Sequence, residues 1–213
     1  MFSKSEKYNA LIGLYTEMAH EGFERRKGDR VSPDAGYGVQ EAAKFRRQLK
    51  SLFAHCGIRS VLDYGGGRTS WFDKEVPEGG SLADFVGISE YCIFEPAHAL
   101  DQRSSVDAVV SFDVLEHIYL ADVGYVLDEI FRLSDKLVVL NIAGYPANAL
   151  LPTGENAHIT LRSLDWWRGA IEVVSSAYPD IMVALYYSSA YNKVTQVPPF
   201  RFSDINREAG YVR

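Results

Sequence analysis

Four short apolar runs constrain the fold more than anything else in the chain: "SVLDY" (60–64), "YCIFE" (91–95), "VDAVVSF" (106–112) and "KLVVLNIA" (136–143). A strand with one wet face alternates apolar and polar residues. Continuous runs belong to strands covered on both faces, as in a parallel sheet between two helical layers. Helical stretches accompany them. "LADVGYVLDEIFRL" sets Val123, Val126, Leu127 and Ile130 on one stripe behind Asp122, a candidate N-cap, and "SLDWWRGAIEVVSSAY" starts a helix near Ser163. "IMVALYYSS" and "YNKVTQV" read as a closing antiparallel hairpin. The expected class is α/β, with a doubly wound, mostly parallel sheet.

Ahead of the sheet, "SEKYNALIGLYTEMAHEGF" places Tyr8, Leu11, Ile12, Tyr15 and Ala19 on one helical stripe. "KGDRVSPDAGYG" (27–38) reads as a loop, and "VQEAAKFRRQLKSLFAHCG" as a second helix stopped at Gly57. The 213 residues suit one domain: N-terminal helices forming a cap over 1–57, a core over 58–198 and a tail over 199–213. Cys56 and Cys92 fit no zinc spacing or disulfide framework and read as reduced thiols. The N-terminus lacks the apolar core of a signal peptide, and no apolar run is long enough to span a membrane, so a cytoplasmic protein without a membrane partner is expected. The net charge of −6 argues against nucleic acid as a partner. Residues 22–50 nevertheless hold eight Lys/Arg against four acids, a local +4 that suggests attraction for an anionic small molecule.

Three strand ends carry acids. Asp63 precedes Tyr64 and three consecutive glycines, Gly65, Gly66 and Gly67; Glu95 precedes Pro96; Asp113 follows Phe112 and precedes Val114. In open α/β sheets ligands bind beyond the carboxyl ends of the strands, so all three acids fall on one rim. Glycines there permit positive φ and close approach of a ligand to backbone. The turn lacks both the Gly-x-Gly-x-x-Gly spacing and a Gly-Lys-Ser/Thr loop, which favours a nucleoside ligand without a phosphate chain. Glu95 is placed to accept from both ribose hydroxyls, with Asp84 and Glu90 as competitors that end no strand. Asp113 and Glu116 have the spacing of a capping box.

"VLDYGGG", "FEP" and "SFDVLEHI", in this order, resemble the class I S-adenosylmethionine-dependent methyltransferases over about residues 58–190. The nearest likeness is to small bacterial and phage members of undefined substrate, whose later loop is similar to "LPTGENAHITLRSLDWW". The resemblance implies a Rossmann-like fold and S-adenosylmethionine as cofactor. It implies that Asp63, Tyr64 and Gly65–Gly67 hold the methionine portion, Glu95 the ribose, and Asp113 with Val114 the methionine amine or adenine. Two departures stand out. Thr69 replaces a frequent third glycine, and the eleven residues between Glu95 and Asp107 cannot hold the usual third strand with its helices. That strand is expected to be missing or vestigial, with Gln102 or nearby backbone serving the adenine.

Methyl transfer depends on positioning the nucleophile and on removing its proton. The candidates are His158, His117 and Asn156, with Asp113 and Glu116 on the same rim. Asn156, His158 and Thr160 alternate within the 17-residue loop after the fourth run, a length usual for functional loops. His20, His55 and His98 read as structural, and Trp166 and Trp167 as packing. No metal is expected, since only Asp113 and Glu116 lie close in sequence. The expected activity is methyl transfer to a small acceptor, such as a hydroxyl of a sugar or phosphorylated metabolite. A non-catalytic methyltransferase-like scaffold and a nicotinamide-dependent oxidoreductase remain as alternatives.

Overall fold

The computed structural model describes residues 3–33 and 40–208. Helix α1 (Glu6–Glu21) leads into a small antiparallel hairpin, β1 (Phe23–Glu24) and β2 (Arg30–Val31). Part of the expected loop is therefore strand; residues 34–38 of it lie outside the described residues. The expected second helix is two, α2 (Gln40–Lys44) and α3 (Arg46–Cys56). Between them Phe45 is buried, its ring 5.1 Å from that of Phe112 and 4.8 Å from that of Tyr186. Gly57 ends α3 in the left-handed region, φ 62°, as its sequence position suggests.

The central sheet comprises β3 (Ser60–Tyr64), β4 (Glu90–Glu95), β5 (Leu100–Asp101), β6 (Val106–Phe112), β7 (Ser134–Ala143), β8 (Met182–Ala190) and β9 (Lys193–Gln196). Its order is β5-β4-β3-β6-β7-β8-β9, with the four inner pairs parallel and both edge pairs antiparallel. The two-residue β5 occupies the edge beside β4, where the short segment after Glu95 leaves no room for more. Gln102 extends that edge: its N–H donates to the Ile93 carbonyl (3.0 Å) and its Oε1 accepts from the Ile93 N–H (3.2 Å).

Helices α4 (Leu82–Val86), α5 (Val123–Arg132) and α6 (Leu164–Ser175) complete two layers. On one face Leu127, Ile130, Trp167 and Ile171 pack with Val138 and Leu140 of β7. On the other, Leu49, Phe53, Leu82 and Val86 pack with Leu137 and Val139 of the same strand. Successive β7 residues thus alternate between two apolar layers, which is why the sequence shows no polar alternation there.

Ser163 caps α6 by accepting from the Trp166 N–H at 3.3 Å. Asp122 does not cap α5 with its side chain; its carboxylate accepts from Ser5 N–H (2.6 Å) and Ser5 Oγ (2.8 Å), tying the start of α1 to the start of α5. The segment after 198 is more than a tail. Phe200 pairs antiparallel with Val183, and α7 (Phe202–Glu208) follows. Residues 209–213 lie outside the described ones. Cys56 and Cys92 are unpaired, and among the described residues no helix is long and apolar enough to cross a membrane.

Gly13 lies on the exposed face of α1, and a Cβ there would meet nothing within 4 Å. Gly13→Ala is expected to stabilise the fold by about 0.5–1 kcal/mol through reduced backbone entropy of the unfolded chain. Thermal denaturation reads this as a small rise in Tm.

Candidate functional site

At the carboxyl end of β3, Asp63 is 3% exposed and its Oδ2 accepts from Trp71 Nε1 at 2.7 Å and from Tyr91 Oη at 3.4 Å. The chain then folds back over this carboxylate. A Cβ on Gly66 would lie 2.4 Å from Asp63 Cγ, so only glycine fits. Gly65 takes φ 84°, and a Cβ there would lie 2.4 Å from Val114 Cγ2. Both glycines therefore serve close approach within the protein as well as leaving backbone open to a ligand. Gly67 N–H donates to Glu95 Oε2 (3.2 Å), while Glu95 Oε1 accepts from Ala97 N–H (3.1 Å). Each Glu95 oxygen keeps a lone pair for a further donor.

These residues open on a cavity of about 450 Å³, lined by Asp63, Tyr64, Gly65–Gly67, Glu95, Asp113, Val114, His117 and His158. The volume is within the range of small-molecule sites. The α1 stripe forms a wall of the same cavity through Tyr8, Ile12, Tyr15 and Ala19. Asp113 has φ 54°, and its Oδ1 accepts from Asn141 Nδ2 at 3.1 Å. Strain of this kind in a non-glycine residue is held by its surroundings and gathers at functional sites. The Asp113–Glu116 capping box is not formed. Val114 takes the N-cap position of the 3-10 turn Leu115–His117 without a side-chain bond. Glu116 is fully buried instead, its Oε1 accepting from Ala143 N–H at 2.7 Å.

The two histidines touch edge to face, ring centres 4.6 Å apart. His158 Nδ1 lies 2.5 Å from the Tyr145 carbonyl, so the hydrogen-bond pattern assigns its proton to Nδ1 and leaves Nε2 as an acceptor. His117 Nδ1 lies 2.7 Å from Tyr15 Oη, whose proton goes to the Ala157 carbonyl (3.0 Å), giving His117 the same tautomer. Burial pushes His117 down to about 3, assisted by His158, and burial also lowers His158 against its bond to Tyr145. Both rings are neutral at physiological pH. Asn156 is not among the cavity's lining residues; its carboxamide pairs with the backbone of Ala147 at both ends and braces the loop. Thr160 likewise bonds the Ile118 carbonyl at 2.6 Å.

The cavity is acidic. Among the described lining residues Asp63, Glu95, Asp113 and Glu41 face a single cationic side chain, Arg25, which is paired with Asp29 at 3.0 Å. Burial raises Asp63 to about 7, with the Glu95 carboxylate adding to this and the Trp71 bond opposing it. Burial likewise raises Glu95, against the Ala97 and Gly67 N–H groups, and lifts Asp113 to about 6, with Glu41 contributing. Other cations of the basic stretch are engaged elsewhere: Arg46 and Arg47 meet Glu78 at 2.8 and 3.2 Å, and Lys44 meets Glu41 at 2.5 Å. Among the described residues no three His, Cys, Asp or Glu side chains gather as metal ligands.

Several site residues lie beyond sequence reasoning. Trp71 fixes Asp63 from eight residues away, and Tyr145 and Tyr191 arrive from separate loops. His98, expected to be structural, lines the cavity beside Glu95, where burial first and Arg68 next hold its pKa below the usual value. Gln102, expected near an adenine, is engaged with Ile93 at the sheet edge. In comparisons with known proteins, no family model, curated protein or solved structure matches this chain.

Proposed function

We propose that the chain is an S-adenosylmethionine-dependent methyltransferase acting on a small-molecule hydroxyl. The observation that carries this reading is the glycine turn closed over Asp63, opening with Glu95 on an acidic cavity. A carboxylate-lined cavity suits a ligand bearing sulfonium and ammonium charges, and it disfavours a pyrophosphate. The strand order fits a doubly wound, Rossmann-like sheet whose outer strand is reduced to β5. Resemblance of "VLDYGGG", "FEP" and "SFDVLEHI" to the class I methyltransferases supports the same reading.

The residues present fit the cofactor. On this reading Asp63 and the Gly65–Gly67 backbone would hold the methionine portion, the free lone pairs of Glu95 the ribose hydroxyls, and Asp113 with Val114 the amine or adenine. When bound, the cofactor supplies an electrophilic methyl group. The chain's part is to orient the acceptor, exclude water and hold its proton. The Nε2 atom of His158 and the carboxylate of Asp113 are acceptors for this; His117, held at about 3, can accept a hydrogen bond without keeping the proton.

The test is calorimetric titration with S-adenosylmethionine and S-adenosylhomocysteine, with NADH as comparison. A Kd on the order of micromolar for either of the first two is expected. Glu95→Ala should weaken both about tenfold or more, as loss of charged hydrogen bonds does, with circular dichroism unchanged. Unaltered affinity in that variant would remove Glu95 from the site. Absence of binding by the folded wild type would favour a scaffold instead.

A further inference from the structure

Beside the main cavity lies a second hollow of about 300 Å³, between α2, the start of α3 and the β8–β9 hairpin. It shares Glu41, Asp113, Tyr145 and Tyr191 with the first. A locked polar chain singles it out. Ser188 Oγ donates to Asn141 Oδ1 (3.0 Å), and Asn141 Nδ2 donates to Asp113 Oδ1 (3.1 Å). Ser188 and Asn141 are both buried, so two groups on the wall of the hollow are held in fixed rotamers through a third.

We propose that this hollow is the acceptor subsite, resting on the methyltransferase reading, and that it takes a sugar ring with one ring hydroxyl bonded to Asp113. The wall chemistry sets the class. Glu41, Asp113, Gln48 and Gln196 carry planar carboxylates and carboxamides that suit neighbouring hydroxyls, and Tyr145 and Tyr191 bring aromatic faces for the C–H face of a sugar ring. The cation among the described wall residues, Lys44, is engaged by Glu41 and lies 4.2 Å from the Tyr191 ring centre. That arrangement favours a neutral polyol over a phosphate. Asp113 lies on the shared wall, so a hydroxyl held there borders both compartments.

Saturation-transfer NMR on protein loaded with S-adenosylhomocysteine tests this, using methyl α-glucopyranoside, methyl α-galactopyranoside and methyl α-mannopyranoside as probes. At least one glycoside should receive saturation. Gln48→Trp, at an exposed position of the rim, should abolish the signal. That variant should leave the affinity for S-adenosylhomocysteine unchanged. Silence from all three glycosides with that affinity intact, or a signal that survives Gln48→Trp, overturns the subsite. Failure of the wild type to bind S-adenosylhomocysteine overturns the cofactor reading, and the acceptor role with it.

Discussion

Gly66→Ala is expected to lower cofactor affinity about ten- to a hundredfold, the range of a lost charge-assisted contact, and to reduce Tm as well. The added methyl would sit 2.4 Å from Asp63 Cγ and 2.5 Å from its Oδ2. Asp63 is short, buried and pinned by Trp71 Nε1, so it cannot swing aside without breaking that bond. Either the turn lifts off the carboxylate or the carboxylate leaves Trp71, and both disturb the floor of the cavity. Overpacking of this kind costs about 1–3 kcal/mol, and each kcal/mol lowers Tm by roughly 2–4 °C in a chain of this length. Calorimetry and thermal denaturation on the same sample separate the two effects. Full affinity in Gly66→Ala would show that the turn does not contact the ligand.

The same turn shows what the sequence made legible. Three glycines after a strand ending in an acid marked the place, because strand and turn are local and their residue types report them directly. The partners that fix the turn are not local. Trp71 reaches Asp63 across the turn, and Val114 follows the carboxyl end of β6, a different strand. Strands β3, β4, β6 and β7 were readable because burial on both faces writes a continuous apolar run. The β1–β2 hairpin was not, since two-residue strands leave no period to detect. The D-x-x-E spacing misled for a different reason. Capping competes with burial, and Glu116 closes the end of β7 through Ala143 instead. The basic stretch is also less free than it reads, because charge counts do not show that Glu78 gathers Arg46 and Arg47.

Acidification from pH 8 towards 7 should move stability and cofactor affinity in opposite directions. Asp63, at about 7, and Asp113, at about 6, are raised by burial above their unfolded values. An acid raised in this way contributes stability that is fully present below its unfolded pKa and is lost as pH rises through the folded one. The ligand-free protein should therefore gain stability as pH falls from 8 towards Asp63's value. Below that, the lowered histidines oppose the gain. His117, His158 and His98 resist protonation in the fold, whereas in the unfolded chain they protonate normally. The opposing trend sets in as pH falls through about 6.5, the unfolded histidine value, and the gain in stability should slow there. Cofactor affinity has no such opposing trend. A cationic ligand needs the carboxylates ionised, so its affinity should fall with decreasing pH, approaching tenfold per unit below Asp63's pKa. Binding near pH 6.5 should then release protons, visible as a calorimetric enthalpy that differs between phosphate and Tris buffers. Affinity independent of pH from 8 to 6 would mean that Asp63 and Asp113 do not face the ligand's charge. Affinity that rises on acidification would point to an anionic ligand, and with it away from a sulfonium cofactor.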